Sequence, residues 1–329
     1  MTRLARIGER DQFRPSWWLP GPHLPTLWAA LASPKPPLAS RRERLPLEDG
    51  DFLDLDWVGG ASGPLIIVLH GLEGSINSSY ARRILHRVDQ QGWGGVLIHL
   101  RGCSGEPNRA DRSYHSGETG DFRFVLSVLR SRYRGRKLMA VGYSLGGNVL
   151  LKFLGESSEQ ELPYAAAAVS VPFDLAAGAN RLNRGFSKLY QQHLVRSLHK
   201  KIRRKFANRK HPFSFANLEQ WSDFWSFDDH VTAPLHGFTD AKEYYAKSSC
   251  RQFLAAIRTR TLIIHSRDDP FLTRDAIPRR NELSSTTTLQ LTNSGGHVGF
   301  ISGRLPFKPI YWLDDEIMHW FKENLGIDN

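Results

Sequence analysis

The sequence has few cysteines and no long hydrophobic run. Its 329 residues include two cysteines, Cys103 and Cys250, which need not pair and cannot form the disulfide framework of a small secreted domain. No apolar stretch approaches the roughly 18 residues of a membrane-spanning helix, and the amino terminus lacks the apolar core of a signal peptide. We therefore expect a cytoplasmic protein in a reducing compartment.

Acidic residues are missing from one segment, residues 181–210. Of the 44 Lys and Arg residues, eleven lie in this segment, and the other 33 balance the 33 Asp and Glu residues. The net charge of +11 therefore resides here. Apolar residues recur within the segment at spacings of three and four, which predicts an amphipathic helix. Its apolar stripe comprises Val195, Leu198, Ile202 and Phe206.

Three interpretations of this basic helix are open. The stripe can pack on the domain while the bases face water, or the helix can attract nucleic acid. Alternatively, the helix can lie on an anionic membrane surface, where each base contributes about 1 kcal/mol. No recognised nucleic-acid-binding fold is evident, so we expect no nucleic-acid partner. Peripheral contact with an anionic membrane through residues 181–210 stays a prediction.

The central motif of the chain is G-x-S-x-G, formed by Gly142, Ser144 and Gly146. Within residues 137–156 it follows an apolar, strand-like run and precedes an amphipathic helical pattern. In that context the glycines allow a strand to turn abruptly into a helix, and the serine at the apex has a strained backbone and an accessible hydroxyl. Ser144 is therefore a candidate nucleophile. The structural alternative is a turn in which Ser144 only caps the helix.

Short apolar runs alternate with helical patterns along most of the chain. The predicted strands are Leu65–His70, Val96–Leu100, Leu138–Tyr143, Ala165–Val171, Thr261–Ser266 and Thr288–Leu291, after a hairpin over Arg41–Val58. The predicted helices are Tyr80–Gln91, Glu118–Tyr133 and Asn148–Leu154. This alternation predicts an α/β fold with a mostly parallel sheet and helices on both of its faces.

Two regions depart from the alternation. Residues 1–40 are rich in proline and contain Trp17, Trp18 and Trp28, which predicts an irregular arm packed on the domain. Residues 174–260 contain basic and aromatic helical stretches without an evident strand, which predicts a helical lid inserted over the strand ends. We thus expect one domain over residues 41–329.

A serine hydroxyl is a weak nucleophile near neutral pH and needs a base that is itself oriented by a third group. The sharp turn from a strand into a helix with a serine at its apex is called a nucleophile elbow. When the serine occupies such an elbow, the acid and then the histidine follow it along the chain. His297 comes after the last predicted strand, and Asp268 and Asp269 follow the strand before it. Asp269, directly before Pro270, is favoured as the acid, whereas Asp268 reads as a capping carboxylate in a solvated turn. The alternative for His297 is a loop histidine bonded to backbone carbonyls.

Acyl transfer also requires hydrogen-bond donors for the developing oxyanion. The glycines of H-G-L-E-G, after the first parallel strand, let the loop bend so that the backbone N–H of Leu72 can face the site. The second predicted donor is the backbone N–H of Leu145, at the start of the helix after the elbow. We expect His70 to be a structural histidine of this loop.

Other chemistries fit these residues less well. A metal site would use His265, Asp268, Asp269 and His297, but the motifs H-E-x-x-H and paired C-x-x-C do not occur. A phosphate-binding loop would require G-x-x-x-x-G-K-[ST], which is also missing. We therefore expect neither a metal nor a cofactor.

Several longer motifs resemble those of a known family. They are H-G-L-E-G-S at 70–75, R-G-C-S-G-E-P-N at 101–108, Y-H-S-G-E-T at 114–119, G-Y-S-L-G-G-N at 142–148, D-D-P-F at 268–271 and G-G-H-V-G-F-I at 295–301. Together with W-L-P-G-P-H-L-P-T-L near the start and F-D-D-H-V-T-A-P-L-H-G-F in the predicted lid, they closely resemble the YheT-like family. This branch of α/β-hydrolase-domain proteins includes animal membrane-associated lipases and esterases. The resemblance implies an α/β-hydrolase fold and a serine carboxylesterase or lipase-like activity, with Ser144, Asp269 and His297 at the triad positions.

The sequence thus predicts hydrolysis of carboxylic esters, with short or medium acyl chains or lipid-like groups, through an acyl-Ser144 intermediate. Two alternatives stay open. An acyltransferase would use the same acyl-enzyme with an acceptor other than water. A non-catalytic lipid- or ligand-binding protein would use only the hydrolase scaffold, although all three triad positions are filled here.

Overall fold

The computed structural model describes residues 13–211, 213–306 and 308–327. Within these ranges the strands are β1 (Arg41–Pro46), β2 (Phe52–Gly59), β3 (Leu65–Leu69), β4 (Gly94–Ile98), β5 (Leu138–Tyr143), β6 (Ala165–Val169), β7 (Arg260–Ser266), β8 (Thr287–Thr292), β9 (Ile301–Ser302) and β10 (Ile310–Tyr311). The helices are α1 (His23–Leu31), α2 (Ser79–Gln90), α3 (Gly120–Arg132), α4 (Leu145–Glu156), α5 (Leu175–Leu182), α6 (Ser187–Phe206), α7 (Phe224–Phe227), α8 (Ala233–His236), α9 (Ala241–Ser248) and α10 (Trp312–Leu325).

Strands β1 to β8 form one sheet in the order β1-β2-β4-β3-β5-β6-β7-β8. The predicted hairpin supplies the antiparallel pair β1 and β2, and β2 is also antiparallel to β4. All the other neighbours in the sheet are parallel, which confirms the predicted mostly parallel α/β fold. Because parallel strands end at the same edge of a sheet, the loops that follow β3, β5, β6, β7 and β8 meet at that edge.

The central strands are buried on both faces, which explains why they are continuous apolar runs in the sequence. In β3, residues Leu65, Ile67 and Leu69 belong to one hydrophobic core, and Ile66 and Val68 belong to the other. Helices α3 and α4 pack in the first core, and α2 and α10 cover the opposite face. Helices on both faces are therefore present, as predicted.

The predicted ends of β4 and β6 differ from the observed ones by two residues. β4 covers Gly94–Ile98 rather than Val96–Leu100, because its first two residues are glycines that an apolar pattern does not include. His99 therefore lies beyond the strand, where its Nε2 is 2.7 Å from Asp56 Oδ2. β6 ends at Val169 rather than at Val171, and Ser170, with φ of 50°, already belongs to the loop.

The amino-terminal segment is not irregular as predicted, since it contains α1. This helix begins directly after Pro22, and Pro25 lies in its first turn. Prolines are tolerated there because the first N–H groups of a helix have no intrahelical acceptor. The segment contacts the domain, for example where Trp17 Nε1–H donates to the carbonyl of Arg304 (2.9 Å). Residues 1–12 of the predicted arm lie outside the described ranges.

The chain between β6 and β7 forms α5 to α9 and a π-helical turn over Asp228–Thr232. These helices have a hydrophobic core of their own, which includes Val195, Ile202 and Phe206. Three residues of the predicted stripe are thus buried inside the insertion, and the fourth, Leu198, is partly buried and packs against them. The stripe therefore does not form an exposed membrane-binding face. Among the helices in the described ranges, none is long and apolar enough to cross a lipid bilayer.

Some bases of the segment 181–210 bind backbone carbonyls of another part of the chain. Lys205 is only 4% exposed, and its Nζ donates to the carbonyl of Arg112 (2.7 Å). Burial lowers the pKa of Lys205 to about 7. Two further contacts run from Arg204 to the carbonyl of Gly105 (2.6 Å) and from Arg209 to the carbonyl of Arg109 (2.7 Å). Part of the excess positive charge therefore attaches the insertion to the loop between β4 and α3.

Candidate active site

Ser144 lies at the sharp turn between β5 and α4. Its φ of 51° is in the left-handed region, which residues other than glycine rarely occupy. A Cβ at Gly146 would lie 2.5 Å from the carbonyl oxygens of both Leu69 and His70, so a glycine is needed for α4 to pass this close to β3. The N–H of Ser144 donates to the carbonyl of Val169 (2.9 Å), which connects the turn to β6. The surrounding strands thus hold the serine in a strained position.

The side chains of Ser144, His297 and Asp269 form a hydrogen-bonded row. Ser144 Oγ is 2.9 Å from His297 Nε2, and His297 Nδ1 is 2.9 Å from Asp269 Oδ2. The three residues follow β5, β8 and β7, so three strand ends supply the row. Asp269 is buried, and its Oδ1 accepts the N–H of Phe271 (2.8 Å). When Nδ1 is protonated and donates to Asp269, Nε2 is able to accept the hydroxyl proton of Ser144.

The loop that carries His297 is fixed by side chains from other elements. Its backbone donates from His297 to Thr26 Oγ1 (2.8 Å), from Gly296 to Asp268 Oδ1 (2.9 Å) and from Val298 to Ser170 Oγ (2.9 Å). Asp268 is therefore more than a capping residue of a solvated turn, because its carboxylate binds the histidine loop. The sequence assigned the two neighbouring aspartates different roles, and the structure connects both of them to this loop.

An aromatic ring sets the plane of the imidazole. The rings of Phe271 and His297 are stacked, with centroids 4.0 Å apart and an interplanar angle of 3°. Tyr190 of α6 contacts Phe271 in turn, with centroids 5.1 Å apart. Burial, together with the negative charge of Asp269, raises the pKa of Tyr190 to about 12. Tyr190 is therefore uncharged. Through Tyr190, helix α6 of the insertion contacts Phe271, which itself stacks on His297.

The loop after β3 places Leu72 beside the serine. A Cβ at Gly71 would lie 3.3 Å from the Cβ of Ser144, and the side chains of Leu72 and Leu145 pack in one small core. The N–H of Gly71 donates to Tyr80 Oη (2.8 Å), whereas no acceptor within the described residues binds the N–H of Leu72. Leu145 begins α4, where N–H groups lack intrahelical acceptors. Both predicted donors are thus available to a ligand.

His70 connects the same loop to the neighbouring strand end. Its Nε2 accepts the N–H of Leu100 (3.1 Å), so Nδ1 carries the proton and donates to the carbonyl of Gly71 (2.7 Å). Complete burial lowers the pKa of His70 to about 3. The neutral imidazole has the structural role that the sequence indicates.

Glu73 attaches this loop to the insertion. Its carboxylate accepts the hydroxyl proton of Tyr114 (2.7 Å) and lies 2.5 Å from Lys201 Nζ of α6. The N–H of Glu73 donates back to Tyr114 Oη (3.1 Å). Lys201 also donates to Cys103 Sγ (2.9 Å), and burial raises the pKa of that thiol to about 11, so it stays protonated. These contacts fix the backbone on the carboxyl side of Leu72.

Backbone strain is concentrated around the site. Within the described ranges, the residues other than glycine that have a positive φ are Glu73 (54°), Ser144 (51°), Ser170 (50°), Val298 (56°) and Phe300 (43°). A β-branched residue such as Val298 is especially unfavourable in this region. All five belong to the loops described above, so the fold holds the strain where the candidate functional side chains are positioned.

A cleft extends from Ser144 between the sheet and the inserted helices. It encloses about 1090 Å³ of empty space, which includes space open to solvent. Its walls are mainly apolar and include Leu145, Leu182, Leu198, Ile202, Val231 and Leu272. Asp228, a polar group in the lining, is buried and accepts hydrogen bonds from Tyr245 (2.7 Å) and Thr232 (2.5 Å). Burial raises the pKa of Asp228 to about 6. The cleft therefore suits an apolar chain better than a charged one.

The side chains considered for a metal do not form such a site. Over residues 13–211, 213–306 and 308–327, no three His, Cys, Asp or Glu side chains lie close enough together to hold a metal ion. His265, one of the four candidates, is fully buried at the end of β7. Burial lowers its pKa to about 4, and the charge of Asp269 only partly opposes this effect.

Sequence reasoning missed several residues that support the site. Thr26, Ser170 and Tyr114 each bind a backbone N–H of a loop that carries a candidate group. No spacing rule points to them, since each acts across a long sequence separation. Thr26 and Tyr114 do occur in two of the longer motifs, W-L-P-G-P-H-L-P-T-L and Y-H-S-G-E-T, and that is the signal by which they could have been found.

Several known proteins with similar sequences are named as esterases or lipases. The family described as "alpha/beta hydrolase fold" matches residues 64–304. "Putative esterase YheT" of Escherichia coli (strain K12) is 41% identical over 304 residues, which cover 91% of this chain and 89% of that protein. "Monoacylglycerol lipase" of Saccharomyces cerevisiae is 30% identical over 249 residues, which cover 73% of this chain and 56% of the yeast protein.

A solved structure with a similar fold is that of the esterase Pf2001 from Pyrococcus furiosus. It superimposes with a TM-score of 0.58 at 16% identity, over 88% of this chain and 90% of that one. At this level of identity the similarity concerns the fold alone.

Proposed function

We propose that this chain, which belongs to the α/β-hydrolase family and to its YheT-like branch, is an esterase. It hydrolyses carboxylic esters through an acyl-Ser144 intermediate. The observation that carries the proposal is the row of Ser144, His297 and Asp269, with 2.9 Å for each of its two hydrogen bonds. Relatives named as an esterase and a lipase agree with ester hydrolysis.

Acylation begins when Ser144 Oγ attacks the ester carbonyl carbon and His297 Nε2 takes the hydroxyl proton. The imidazolium that forms is stabilised by Asp269, which accepts the Nδ1–H throughout. The carbonyl oxygen becomes an oxyanion, and the N–H groups of Leu72 and Leu145 are the donors for it. When the intermediate collapses, His297 returns the proton to the leaving alkoxide, and the alcohol departs.

Deacylation repeats these steps with water. His297 removes a proton from a water molecule, the hydroxide adds to the acyl carbon, and the same two N–H groups stabilise the second oxyanion. The carboxylic acid leaves as Ser144 Oγ regains a proton from His297. Both half-reactions require a neutral His297 at the start, which is why the orientation of its Nδ1–H toward Asp269 matters.

The cleft supports esters with an apolar acyl chain, of short to medium length or lipid-like. Its walls of leucine, isoleucine and valine offer dispersion contacts to methylene groups, and each buried CH₂ contributes about 0.8 kcal/mol to binding. Of the ionisable groups that line the cleft, Asp228 is already satisfied by two hydroxyl donors and Lys201 is paired with Glu73. A substrate with a second charge in this part of the cleft is therefore disfavoured.

Labelling with a fluorophosphonate tests the nucleophile. The probe is expected to modify Ser144, as located by mass spectrometry, and Ser144→Ala is expected to abolish labelling and to lower kcat on p-nitrophenyl esters by about 10⁴-fold or more. Ser214→Ala, at an exposed serine of the insertion, is the matched control and should label like the wild type. Failure to label, or a label that survives Ser144→Ala, contradicts the proposal.

Product analysis separates hydrolysis from acyl transfer. With an ester substrate and added alcohol or lysolipid, we expect the free acid as the main product. If the acylated acceptor predominates, the reaction still proceeds through acyl-Ser144, but the acyl group is transferred to the acceptor instead of to water.

A further inference from the structure

Most of the large exposed hydrophobic side chains lie in three chain segments that contact one another. Within the described ranges, those of Trp17, Leu24, Leu31, Phe186, Leu189, Leu305 and Ile310 are exposed, with Trp17 at 74% and Leu31 at 82%. Two other exposed apolar side chains, Tyr164 and Ile327, lie elsewhere, since Tyr164 precedes β6 and its hydroxyl contacts Asn324 at the end of α10. We call the group of seven the apolar rim.

Helix α1 connects the parts of the apolar rim. On one side, Trp28 Nε1–H donates to Tyr311 Oη (3.4 Å), and Trp17 Nε1–H donates to the carbonyl of Arg304 (2.9 Å). These bonds join α1 and the segment before it to the β9–β10 ribbon, which carries Leu305 and Ile310. Leu24 and Leu31 are seven residues apart on α1, so they share one helix face.

On its other side, α1 contacts the start of α6. The rings of His23 and Phe186 have centroids 4.5 Å apart, and His23 Nδ1 is 3.1 Å from Tyr190 Oη. Phe186 is therefore a neighbour of α1, although it is far away in the sequence, and Leu189 lies three residues after it in the first turn of α6. The rim is thus a connected surface built from three chain segments.

The three segments contain bases and no acids. Residues 13–40, 175–210 and 283–313 include no Asp or Glu at all. Their exposed bases include Arg14, Lys35, Arg184, Lys188, Arg304 and Lys308. Exposed apolar and aromatic groups in segments that carry bases and no acids are complementary to an anionic lipid surface, where headgroups attract the cations and the interface accepts Trp, Phe and Leu.

The apolar rim also adjoins the candidate active site. Thr26 of α1 accepts the N–H of His297, and Tyr190, which contacts His23, packs on Phe271 beside the imidazole. A lipid surface that binds the rim would therefore lie close to the row of Ser144, His297 and Asp269. The stripe of Val195, Ile202 and Phe206 has no part in such binding, since it is buried in the core of the insertion.

We propose that the apolar rim docks reversibly on an anionic phospholipid surface. The rim contacts the interface through α1, the start of α6 and the β9–β10 ribbon, and its bases contact the headgroups. This relocates the predicted lipid contact of residues 181–210 to their amino-terminal end and extends it to two further segments. Docking itself does not depend on catalysis, so it is independent of the proposed ester hydrolysis.

Vesicle flotation with the full-length Ser144→Ala protein tests docking without lipid turnover. Vesicles of equal parts phosphatidylglycerol and phosphatidylcholine are expected to bind the protein at low salt, and pure phosphatidylcholine vesicles much less. Raising the salt concentration should weaken binding to the anionic vesicles. Leu31→Ser should lower the partition coefficient about tenfold, and Lys308→Glu should lower it at least about fivefold.

Two matched controls lie near the end of the sheet where the parallel strands begin, opposite the candidate active site. Ile327→Ser replaces an apolar side chain that is also exposed (46%), and Arg134→Glu reverses an exposed charge just before β5. Neither should change binding by more than about twofold, and all four variants should unfold at the wild-type temperature because the sites are exposed.

Several results would overturn the proposal. They are the absence of binding to anionic vesicles, equal and salt-insensitive binding to both kinds of vesicle, and equal losses in rim and control variants. Sedimentation velocity provides a further check. If the protein forms a dimer that Leu31→Ser dissociates and does not bind vesicles, the rim is an interface between two copies of this chain.

Discussion

The hydroxyl of Thr26, in the amino-terminal helix, accepts a hydrogen bond of 2.8 Å from the backbone N–H of His297, 271 residues away. The same hydroxyl donates to the carbonyl of Pro22 (2.7 Å). Thr26 is therefore held by its own helix while it holds the histidine loop. The amino-terminal segment thus contributes to the geometry of the candidate active site as well as covering the domain.

Thr26→Val removes this acceptor while keeping the shape of the side chain. We expect kcat on a p-nitrophenyl ester to fall about tenfold with little change in KM, because the imidazole loses its fixed position relative to Ser144. Thr26→Ser retains the hydroxyl and is the matched control, with kcat close to that of the wild type. Equal kcat values for the Val and Ser variants would show that the bond does not position His297.

Asn148 connects the elbow helix to two distant segments. Its Nδ2 donates to the carbonyls of Ser116 and Ser248 (both 2.8 Å), and its Oδ1 accepts the N–H of Cys250 (3.0 Å). Asn148→Asp would place a buried carboxylate against two carbonyl oxygens, and we expect the free energy of unfolding to fall by about 3–5 kcal/mol. Urea denaturation measures the change.

The control for Asn148→Asp is the same substitution at Asn217, which is exposed. It should change the free energy of unfolding by no more than about 0.5 kcal/mol. A comparable loss at both positions would mean that the hydrogen bonds of the buried Asn148 amide are not the cause of the lower free energy of unfolding.

His265 makes stability depend on pH. It is fully buried, and burial lowers its pKa to about 4. Neither ring nitrogen has a partner within the described residues. Between the ordinary histidine pKa of about 6.5 and the folded value, the unfolded chain binds more protons than the folded one. Stability therefore falls as the pH falls through this window, by up to about 1.4 kcal/mol per pH unit from this residue.

Replacing His265 by Leu is expected to reduce the loss of stability between pH 6.5 and pH 5 by about 1.6 kcal/mol relative to the wild type. Unfolding in urea at several pH values provides the measurement. His193→Gln, at an exposed position of α6, is the control and should leave the pH dependence unchanged. An unaltered slope in His265→Leu would show that His265 does not titrate in this range.

The sheet was predictable because its central strands are buried on both faces. A strand such as β3 must be apolar at every position, so the run from Leu65 is visible without any tertiary information. The ends of the strands were less predictable. The glycines that begin β4, for example, do not extend the apolar pattern from which the strand was predicted. Helix α1 escaped prediction because Pro22 and Pro25 resemble breakers, although both lie where a helix start tolerates proline.

The role of the basic segment was less predictable. Spacing alone defined an amphipathic helix but did not indicate what covers its apolar stripe. The structure places Val195, Ile202 and Phe206 in the core of the insertion, and Lys205 against the carbonyl of Arg112. The partners of these side chains come from other parts of the chain, so a local pattern could not identify them.

The sequence by itself determined the elbow at Ser144, since two glycines, a preceding strand and a following helix are all local features. It also determined that an aspartate and a histidine follow later strands. Only the tertiary structure decided that Asp269 faces the imidazole, that Asp268 binds the backbone of Gly296, and that Thr26 supports the same loop. The physical reason is that hydrogen bonds depend on distance and direction in space, which the packing of the parallel strand ends sets and local sequence spacing does not.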